Sequence, residues 1–206
     1  MRRRTWLAAA LALAGKTAHA ADALDAVRSR LADAAVLRGD FTQTKRLAGF
    51  RNPLQSSGQF VLVRGRGVLW LTKKPFVSTL VVTPERLETL DAQGQRVSQL
   101  DAREEPALRS INQLLLATLA ADLAPLRALF SIDATLIGAA GWRLLLQPSD
   151  AQLARQLTRI TLTGERHVRE VLLEERSGDR TEIMFAGLNS ADVPSAAELA
   201  LLAGKK

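Results

Sequence analysis

The 206-residue sequence has no cysteine, no tyrosine and only two histidines, and aromatic residues make up 4% of it. The lack of cysteine excludes a disulfide framework, a thiolate zinc site, an iron–sulfur cluster and a cysteine nucleophile. The low aromatic content argues against nucleic-acid binding, because bases stack on aromatic side chains set among basic ones. What remains is a formal net charge of +7, whose meaning depends on where the basic residues lie.

The first twenty residues have the three zones of a secretory signal peptide. Residues 2–4 are arginines, residues 6–14 are apolar, and residues 18–20 form a small-x-small cleavage site. The apolar run is shorter than the roughly 20 residues that span a bilayer. We therefore predict export, cleavage after Ala20, and a mature chain of residues 21–206 that forms a single domain.

Removal of the signal peptide lowers the net charge of the protein. The segment carries four basic residues and no acidic one, so the mature chain has 24 basic and 21 acidic residues and a net charge of +3. A charge this small does not favour nucleic acid as a partner. His167 is then the single histidine of the mature chain.

Apolar periodicity predicts a helix, two series of strands and a helical insertion between them. A spacing of three and four residues predicts a helix over residues 22–37, which Gly39 would end. The leucine- and alanine-rich residues 106–130 predict two helices, the second beginning at Pro125. A short helix is expected over 195–203. The predicted strands, bounded by Gly, Pro and polar turns, are 41–47, 58–64, 68–72, 77–82, 86–90, 96–100, 132–137, 142–147, 157–163, 168–175 and 181–186.

This order of elements predicts an α+β protein in which apolar helices cover an antiparallel sheet. The strand over 58–64 is apolar on both faces, with Phe60 and Leu62 on one and Val61 and Val63 on the other. Such a strand packs against something on both sides. The helices either complete an ordinary core or cover a cavity for an apolar ligand, and composition does not choose between the two.

No arrangement of residues marks a catalytic or metal site. His167 is the single histidine available to a Ser-His-acid triad. Glu174 and Glu175 are neighbours along a predicted strand, which directs them to opposite faces. Residues 65–67 lack the lysine and the later glycine of a phosphate loop. We expect no enzymatic activity, no metal and no cofactor, and a carboxylate hydrolase stays as the catalytic alternative.

Residues 58–75 resemble the signature of the LolA-type periplasmic lipoprotein carriers. The signature has fixed spacings of a glycine, an arginine, a tryptophan and a proline, which this sequence keeps at Gly58, Arg64, Trp70 and Pro75. Upstream, Phe41-Thr42-Gln43 resembles the Phe-x-Gln that follows the family's first helix. The order of signal peptide, helix, strands, two lid helices and strands is also similar, over residues 21–187.

The resemblance implies a strongly curved, incomplete antiparallel β-barrel with helices forming an inner lid over an apolar cavity. It also implies an inner-membrane exporter and an outer-membrane acceptor as partners, and makes Arg64 a latch that bonds to the lid. Strand parity and the resemblance together predict these cavity-lining residues: Phe41, Phe60, Leu62, Trp70, Leu80, Val82, Leu115, Leu119, Trp142 and Leu144.

The sequence departs from the signature in three places. Gly65 replaces the proline after the arginine, Gly67 adds a second glycine, and residues 191–206 do not match the family's final strand. These departures leave the cargo and the acceptor open. We predict a monomeric periplasmic carrier that moves the acyl chains of a lipoprotein or another lipid from the inner to the outer membrane. The alternatives are a sensor module that binds a lipid or protein without moving it, and the hydrolase.

Overall fold

The computed structural model describes residues 15–101 and 116–204, which form one eleven-stranded sheet and several helices. The helices are α1 (Gly15–Arg30), α2 (Leu123–Leu129), α3 (Leu153–Gln156) and α4 (Ala196–Ala203), and residues 116–120 are also helical. The strands are β1 (Val36–Arg46), β2 (Leu54–Val63), β3 (Gly67–Lys74), β4 (Ser78–Val82), β5 (Arg86–Leu90), β6 (Arg96–Asp101), β7 (Phe130–Ile137), β8 (Gly141–Pro148), β9 (Leu157–Gly164), β10 (Val168–Glu175) and β11 (Arg180–Ala191). Of the described helices, none has both the length and the apolar character to cross a membrane.

The sheet is antiparallel throughout and open at its two edges. Its strand order is β6-β5-β4-β3-β2-β1-β11-β10-β9-β8-β7, so each strand pairs with the next one along the chain within β1–β6 and within β7–β11. The first and last strands pair in the middle of the sheet, where Phe41 lies opposite Phe185. The edge strands β6 and β7 are not paired with each other in the described structure. The α+β fold with an incomplete barrel is therefore confirmed.

The predicted helix over residues 22–37 is wrong at its carboxyl end. Helix α1 ends at Arg30, and Val36 and Leu37 belong to β1, where each pairs with both β2 and β11. The two side chains are buried on opposite faces of the sheet, which is the two-residue alternation of a strand. Gly39 does not end a helix either. It lies at a bulge of β1, where a Cβ atom would approach the Phe60 ring to 2.9 Å.

The two faces of the sheet are both covered, but by different elements. The inner face, defined by Phe41, Phe60 and Trp70, faces α1, residues 116–121 and α2. The outer face, defined by Val63 and Leu69 together with Val36, Val81 and Leu90, is covered by Leu202 of α4. The prediction that residues 58–64 pack on both sides is confirmed, since Phe60 and Leu62 belong to the inner cluster and Val63 to the outer one.

Helix α4 is anchored to the outer face by polar groups. Ser195 and Glu198 form a capping box at its start. The Arg38 guanidinium donates two hydrogen bonds to the Glu198 carboxylate, at 2.7 and 2.6 Å. Arg86 donates to the carbonyls of Leu201 and Leu202 at the end of the helix, both at 2.9 Å. Within the carboxyl-terminal part that departs from the family signature, Ala196–Ala203 therefore forms a capped helix that covers the outer face.

Removal of the Glu198 charge should weaken this anchor and change the response to acid. The Arg38 hydrogen bond is the main reason that the pKa of Glu198 falls from 4.5 to about 2 in the folded protein. A carboxylate with a lowered folded-state pKa stabilises the fold above pH 4.5, and this stabilisation is lost as the pH falls toward 2. We expect Glu198→Gln to lower the free energy of unfolding at neutral pH by on the order of 2 kcal/mol in urea titrations.

The acid branch of the same titration supplies the control. Between pH 4.5 and about 2 the stability of Glu198→Gln should fall less steeply than that of the wild type. Glu85→Gln, which changes an exposed carboxylate, should follow the wild-type curve. If Glu198→Gln and the wild type lose stability in parallel over that interval, the anchor makes no such contribution.

Candidate functional site

Four aromatic rings from four strands meet on the inner face. The Phe41 and Trp70 rings are stacked with their centroids 3.9 Å apart, and the Phe60 and Phe185 rings make an edge contact at 5.0 Å. Trp70 also contacts Phe60 and Phe185, at 6.2 and 6.1 Å. Side chains alternate between the two faces along β1, β2, β3 and β11, which brings the four rings to one face. The β1–β11 pairing joins the first and last strands there. The result is a wide apolar surface at the centre of the sheet.

Most of the cavity-lining residues predicted from the sequence lie on this inner face. Phe41, Phe60, Leu62, Trp142 and Leu144 are buried in one apolar cluster. Trp70 and Leu119 are partly buried against the same cluster. The structure therefore brings seven of the ten predicted residues into contact with one core.

The three other predicted residues have different positions. Leu80 and Val82 pair with Trp70 and Val68 across β3 and β4, which places them on the inner face beyond the aromatic rings. Val82 is buried and Leu80 is partly buried. Leu115 lies outside the described residues.

Phe185 was missed by the sequence analysis although a usable signal was present. The strand predicted over 181–186 alternates Thr181, Ile183 and Phe185 on one face, and that face packs on the inner cluster. Trp142 was predicted as a cavity residue, and the structure buries it fully in the inner cluster, with its indole N–H donating to the Glu165 carbonyl. It is a core residue of the closed molecule.

The inner face is covered by residues 116–129, which we call the lid segment. Its buried side chains are Ala117, Ala121, Leu123 and Leu126, with Thr118 the one buried polar residue among them. The Asp122 side chain caps α2 by accepting a hydrogen bond from the Ala124 backbone amide. Among the described residues, no side chain of the lid segment hydrogen-bonds to the sheet. Apolar contact is therefore the main force that holds the lid segment on the inner face.

Thr118 is an exception within this apolar contact. Its side chain is buried, with 6% of the residue exposed, and its hydroxyl oxygen has no hydrogen-bond partner in the described structure. A buried hydroxyl without a partner destabilises the state that contains it by about 1–3 kcal/mol. The closed position of the lid segment is therefore weaker than its buried leucines alone would make it.

Arg64 lies where β2 ends beside the lid segment. Its guanidinium donates to the Ala34 carbonyl at 3.2 Å and lies 3.3 Å from the Asp33 carboxylate. Both partners belong to the linker between α1 and β1, so the described partners of Arg64 are not carbonyls of the lid segment. The pair with Asp33 is exposed and adds little stability. The latch role of Arg64 stays a prediction, with the linker as the contact through which it would act.

Open space in this region lies at the edge of the lid segment. A cleft of about 360 Å³ separates α1 and Arg64 from residues 120–124. A second cleft of about 240 Å³ lies between the β2–β3 turn and residues 116–125. Behind both clefts the inner face is filled by packed side chains. The described structure therefore represents a closed form, in which a large ligand could reach the aromatic rings only after the lid segment moves.

His167 lies near Arg64 at the same end of the sheet. Burial lowers the pKa of His167, and the positive charges of Arg166, Arg169 and Arg64 lower it further, so the imidazole is neutral at pH 7. Its Nε2 atom lies 3.0 Å from the Ser190 hydroxyl. No carboxylate hydrogen-bonds to His167 among the described residues, so this pair lacks the acid of a triad. The described part of the chain also holds no cluster of three or more side chains suited to a metal ion.

Comparison with protein families gives one match that covers most of the chain. The family described as "Outer membrane lipoprotein carrier protein LolA" matches residues 32–198. No curated protein sequence matches the chain.

Comparison with solved structures gives relatives with low sequence identity. MucB matches with a TM-score of 0.50 at 16% identity, covering 88% of this chain and 62% of that chain. A LolA superfamily protein from Nitrosomonas europaea matches with a TM-score of 0.46 at 10% identity, covering 85% and 94%. The Pseudomonas aeruginosa MucA/MucB complex matches with a TM-score of 0.42 at 17% identity, covering 86% and 60%. This chain spans less than two thirds of MucB, and the likeness concerns the fold alone.

Replacement of the unpartnered hydroxyl should strengthen the closed lid. Thr118→Val keeps the shape of the side chain and removes the buried polar atom. We expect the free energy of unfolding in urea to rise by about 1 kcal/mol. Thr42→Val, at an exposed position of β1, is the matched control and should change it by less than about 0.5 kcal/mol. A loss of stability in Thr118→Val would mean that the hydroxyl has a bonding partner.

Proposed function

The chain belongs to the LolA family of outer membrane lipoprotein carriers, and on this premise we propose that it is a periplasmic carrier for acyl chains. In this proposal residues 1–20 direct export and are removed, and residues 21–206 act as a single domain. The cargo is a lipoprotein or another lipid, received from an inner-membrane exporter and released to an outer-membrane acceptor. Binding and release are sufficient for this role, and no covalent step is needed.

The observation that carries this proposal is the apolar inner face under an apolar lid segment. The rings of Phe41, Phe60, Trp70 and Phe185 form a continuous surface, and the lid segment covers it without side-chain hydrogen bonds to the sheet in the described structure. An acyl chain can offer that surface the same kind of contact. It can therefore take the place of residues 116–126 without breaking a side-chain hydrogen bond to the sheet. The Leu129 carbonyl, which accepts from the Ser149 and Asp150 amides, lies at the junction with β7.

The energies of the two states are of similar size. Full burial of a large apolar side chain contributes about 1.5–3 kcal/mol, so the two buried leucines of the lid segment, Leu123 and Leu126, contribute roughly 3–6 kcal/mol. The partly buried leucines at 116, 119 and 129 each add a smaller amount. An acyl chain that buries about ten methylene groups gains roughly 8 kcal/mol, at about 0.8 kcal/mol for each. Because the terms nearly balance, cargo can enter and also leave, which a carrier requires.

A module that binds a protein segment is the second candidate, favoured by the outer face of β7–β10. A polar groove of about 510 Å³ lies there, lined by charges of both signs that include Asp133, Arg143 and Glu170. Such a surface suits an extended peptide with polar side chains better than it suits an acyl chain. MucB, which has a similar fold, is also known in a complex with MucA.

Native mass spectrometry of protein recovered from the periplasm tests the carrier function. We expect a polypeptide mass that begins at Ala21, accompanied by species with an added lipid mass. The protein without bound lipid should take up a fluorescent acyl probe. If the protein never carries lipid and takes up no probe, the carrier function is wrong, and a bound peptide would instead support the second candidate.

The uptake assay also tests Arg64. Arg64→Leu removes the side-chain bonds to the α1–β1 linker and should speed uptake of the acyl probe by about fivefold, as expected for the loss of about 1 kcal/mol. Arg66→Leu changes a neighbouring exposed arginine and should leave the rate unchanged. Both variants should keep the wild-type circular dichroism spectrum. Equal rates in the two variants would remove the latch role from Arg64.

A further inference from the structure

Two hairpin loops at one end of the sheet expose large apolar side chains. The β1–β2 loop carries Phe50, which is 73% exposed, and the β3–β4 loop carries Phe76, which is 81% exposed. Leu54 and Val77 beside them are also exposed. Exposed apolar groups gathered in one place usually mark a contact surface. We call residues 46–54 and 73–77 the hairpin tip.

Topology places the two loops side by side. Strand β2 pairs with β1 through Lys45 and Leu54, and with β3 through Ser57 and Lys74, so both loops leave the same end of adjacent strands. The β1–β2 loop is held in place, because the Ala48 amide donates to the Asp179 carboxylate at 2.8 Å. Phe50 therefore lies in an anchored loop, and Phe76 lies in the short loop closed by the pairing of Thr72 with Ser78.

The charged residues between positions 41 and 84 are all basic. Residues 41–84 contain seven basic residues and no acidic one, whereas the rest of the chain after residue 20 has 17 basic and 21 acidic residues. Four of the seven, Arg46, Arg51, Lys73 and Lys74, belong to the hairpin tip and are exposed. Of the nearby acids, Glu175 pairs with Lys45 and Asp179 accepts from the Ala48 amide, so basic side chains outnumber acidic ones at the hairpin tip.

We propose that the hairpin tip binds the surface of an anionic phospholipid bilayer, with Phe50 and Phe76 entering the interface and the four basic residues contacting head groups. Aromatic side chains favour the boundary between head groups and acyl chains. Basic residues near an anionic surface add electrostatic attraction. Exposed apolar groups on loops that also carry four exposed basic residues fit this surface better than a neutral protein groove, which would not use the four cations.

Docking in this way leaves the clefts beside the lid segment free. Strand β2 begins at Leu54 in the hairpin tip and ends just before Arg64, which lines the clefts. The clefts and the hairpin tip therefore lie at opposite ends of the strands. The surface binding is separate from the carrier function, because it requires neither cargo nor movement of the lid segment. Either of the two proposals can fail while the other stands.

Sedimentation with lipid vesicles tests the hairpin tip. The protein recovered from the periplasm, with its amino terminus verified by mass, should sediment with vesicles of mixed phosphatidylcholine and phosphatidylglycerol. It should sediment far less with phosphatidylcholine alone. Phe50→Ser/Phe76→Ser should abolish binding, and Lys73→Gln/Lys74→Gln should weaken it on the order of 25-fold, at about fivefold for each charge.

Matched variants separate the hairpin tip from general effects of charge and apolar exposure. Arg155→Gln/Arg169→Gln removes two exposed charges elsewhere and should bind better than Lys73→Gln/Lys74→Gln. Val193→Ser removes a side chain that is 73% exposed far from the tip in sequence and should bind like the wild type. Unaltered circular dichroism spectra confirm that each variant is folded.

Three results would overturn the proposal. The wild type could fail to bind the anionic vesicles, or the double serine variant could bind them as well as the wild type does. Alternatively, binding could require vesicles that contain inner-membrane proteins, which would make the hairpin tip a protein contact. None of these results depends on whether the protein carries a lipid.

Discussion

The inner face of the open sheet has to be covered, and the other features of the molecule follow from this requirement. The edge strands β6 and β7 do not pair with each other in the described structure, so the sheet cannot enclose its own apolar side chains. The rings of Phe41, Phe60 and Trp70 face this side. Removing such an apolar surface from water lowers the free energy of the protein substantially. An apolar group must therefore cover it at all times. In the described closed form that group is the lid segment.

The covers of the two faces differ in how they are held. Helix α4 lies on the outer face with a capping box, an ion pair from Arg38 and two hydrogen bonds from Arg86. The lid segment lies on the inner face by apolar contact and includes the unpartnered hydroxyl of Thr118. Hydrogen bonds and ion pairs depend on geometry, so movement of a helix breaks them. Apolar contacts have no preferred direction, so another apolar group can replace them. One cover is therefore fixed and the other is exchangeable.

The strands were predictable because their side chains alternate between two buried or half-buried faces. Strands β5 and β10 occupy their predicted ranges, and the others differ mainly at their ends. The family resemblance read from Gly58, Arg64, Trp70 and Pro75 was likewise confirmed. Residues 31–37 were assigned to a helix because Leu31, Ala34 and Ala35 continue the spacing of α1. Pairing of Val36 with two other strands overrides that local pattern.

The arrangement of the site was harder to predict than its composition. Phe185 belongs to the ring cluster because β11 pairs with β1, and that pairing joins residues far apart in the chain. The partner of Arg64 depends on where the α1–β1 linker lies, which no local pattern records. The exposure of Phe50 and Phe76 depends on the lengths of the hairpins around them. Each of these features is a property of tertiary placement.

The central claim is that acyl chains occupy the inner face when the lid segment leaves it. The chain has no cysteine, so a pair introduced by Arg66→Cys and Ala120→Cys, which both line the cleft of about 240 Å³, can be joined by a short cleavable bismaleimide linker. Uptake of a fluorescent acyl probe is then measured before linking, after linking and after cleavage, with each single variant as a control. We predict that linking abolishes uptake and that cleavage restores it. Unchanged uptake by the linked protein would contradict the claim.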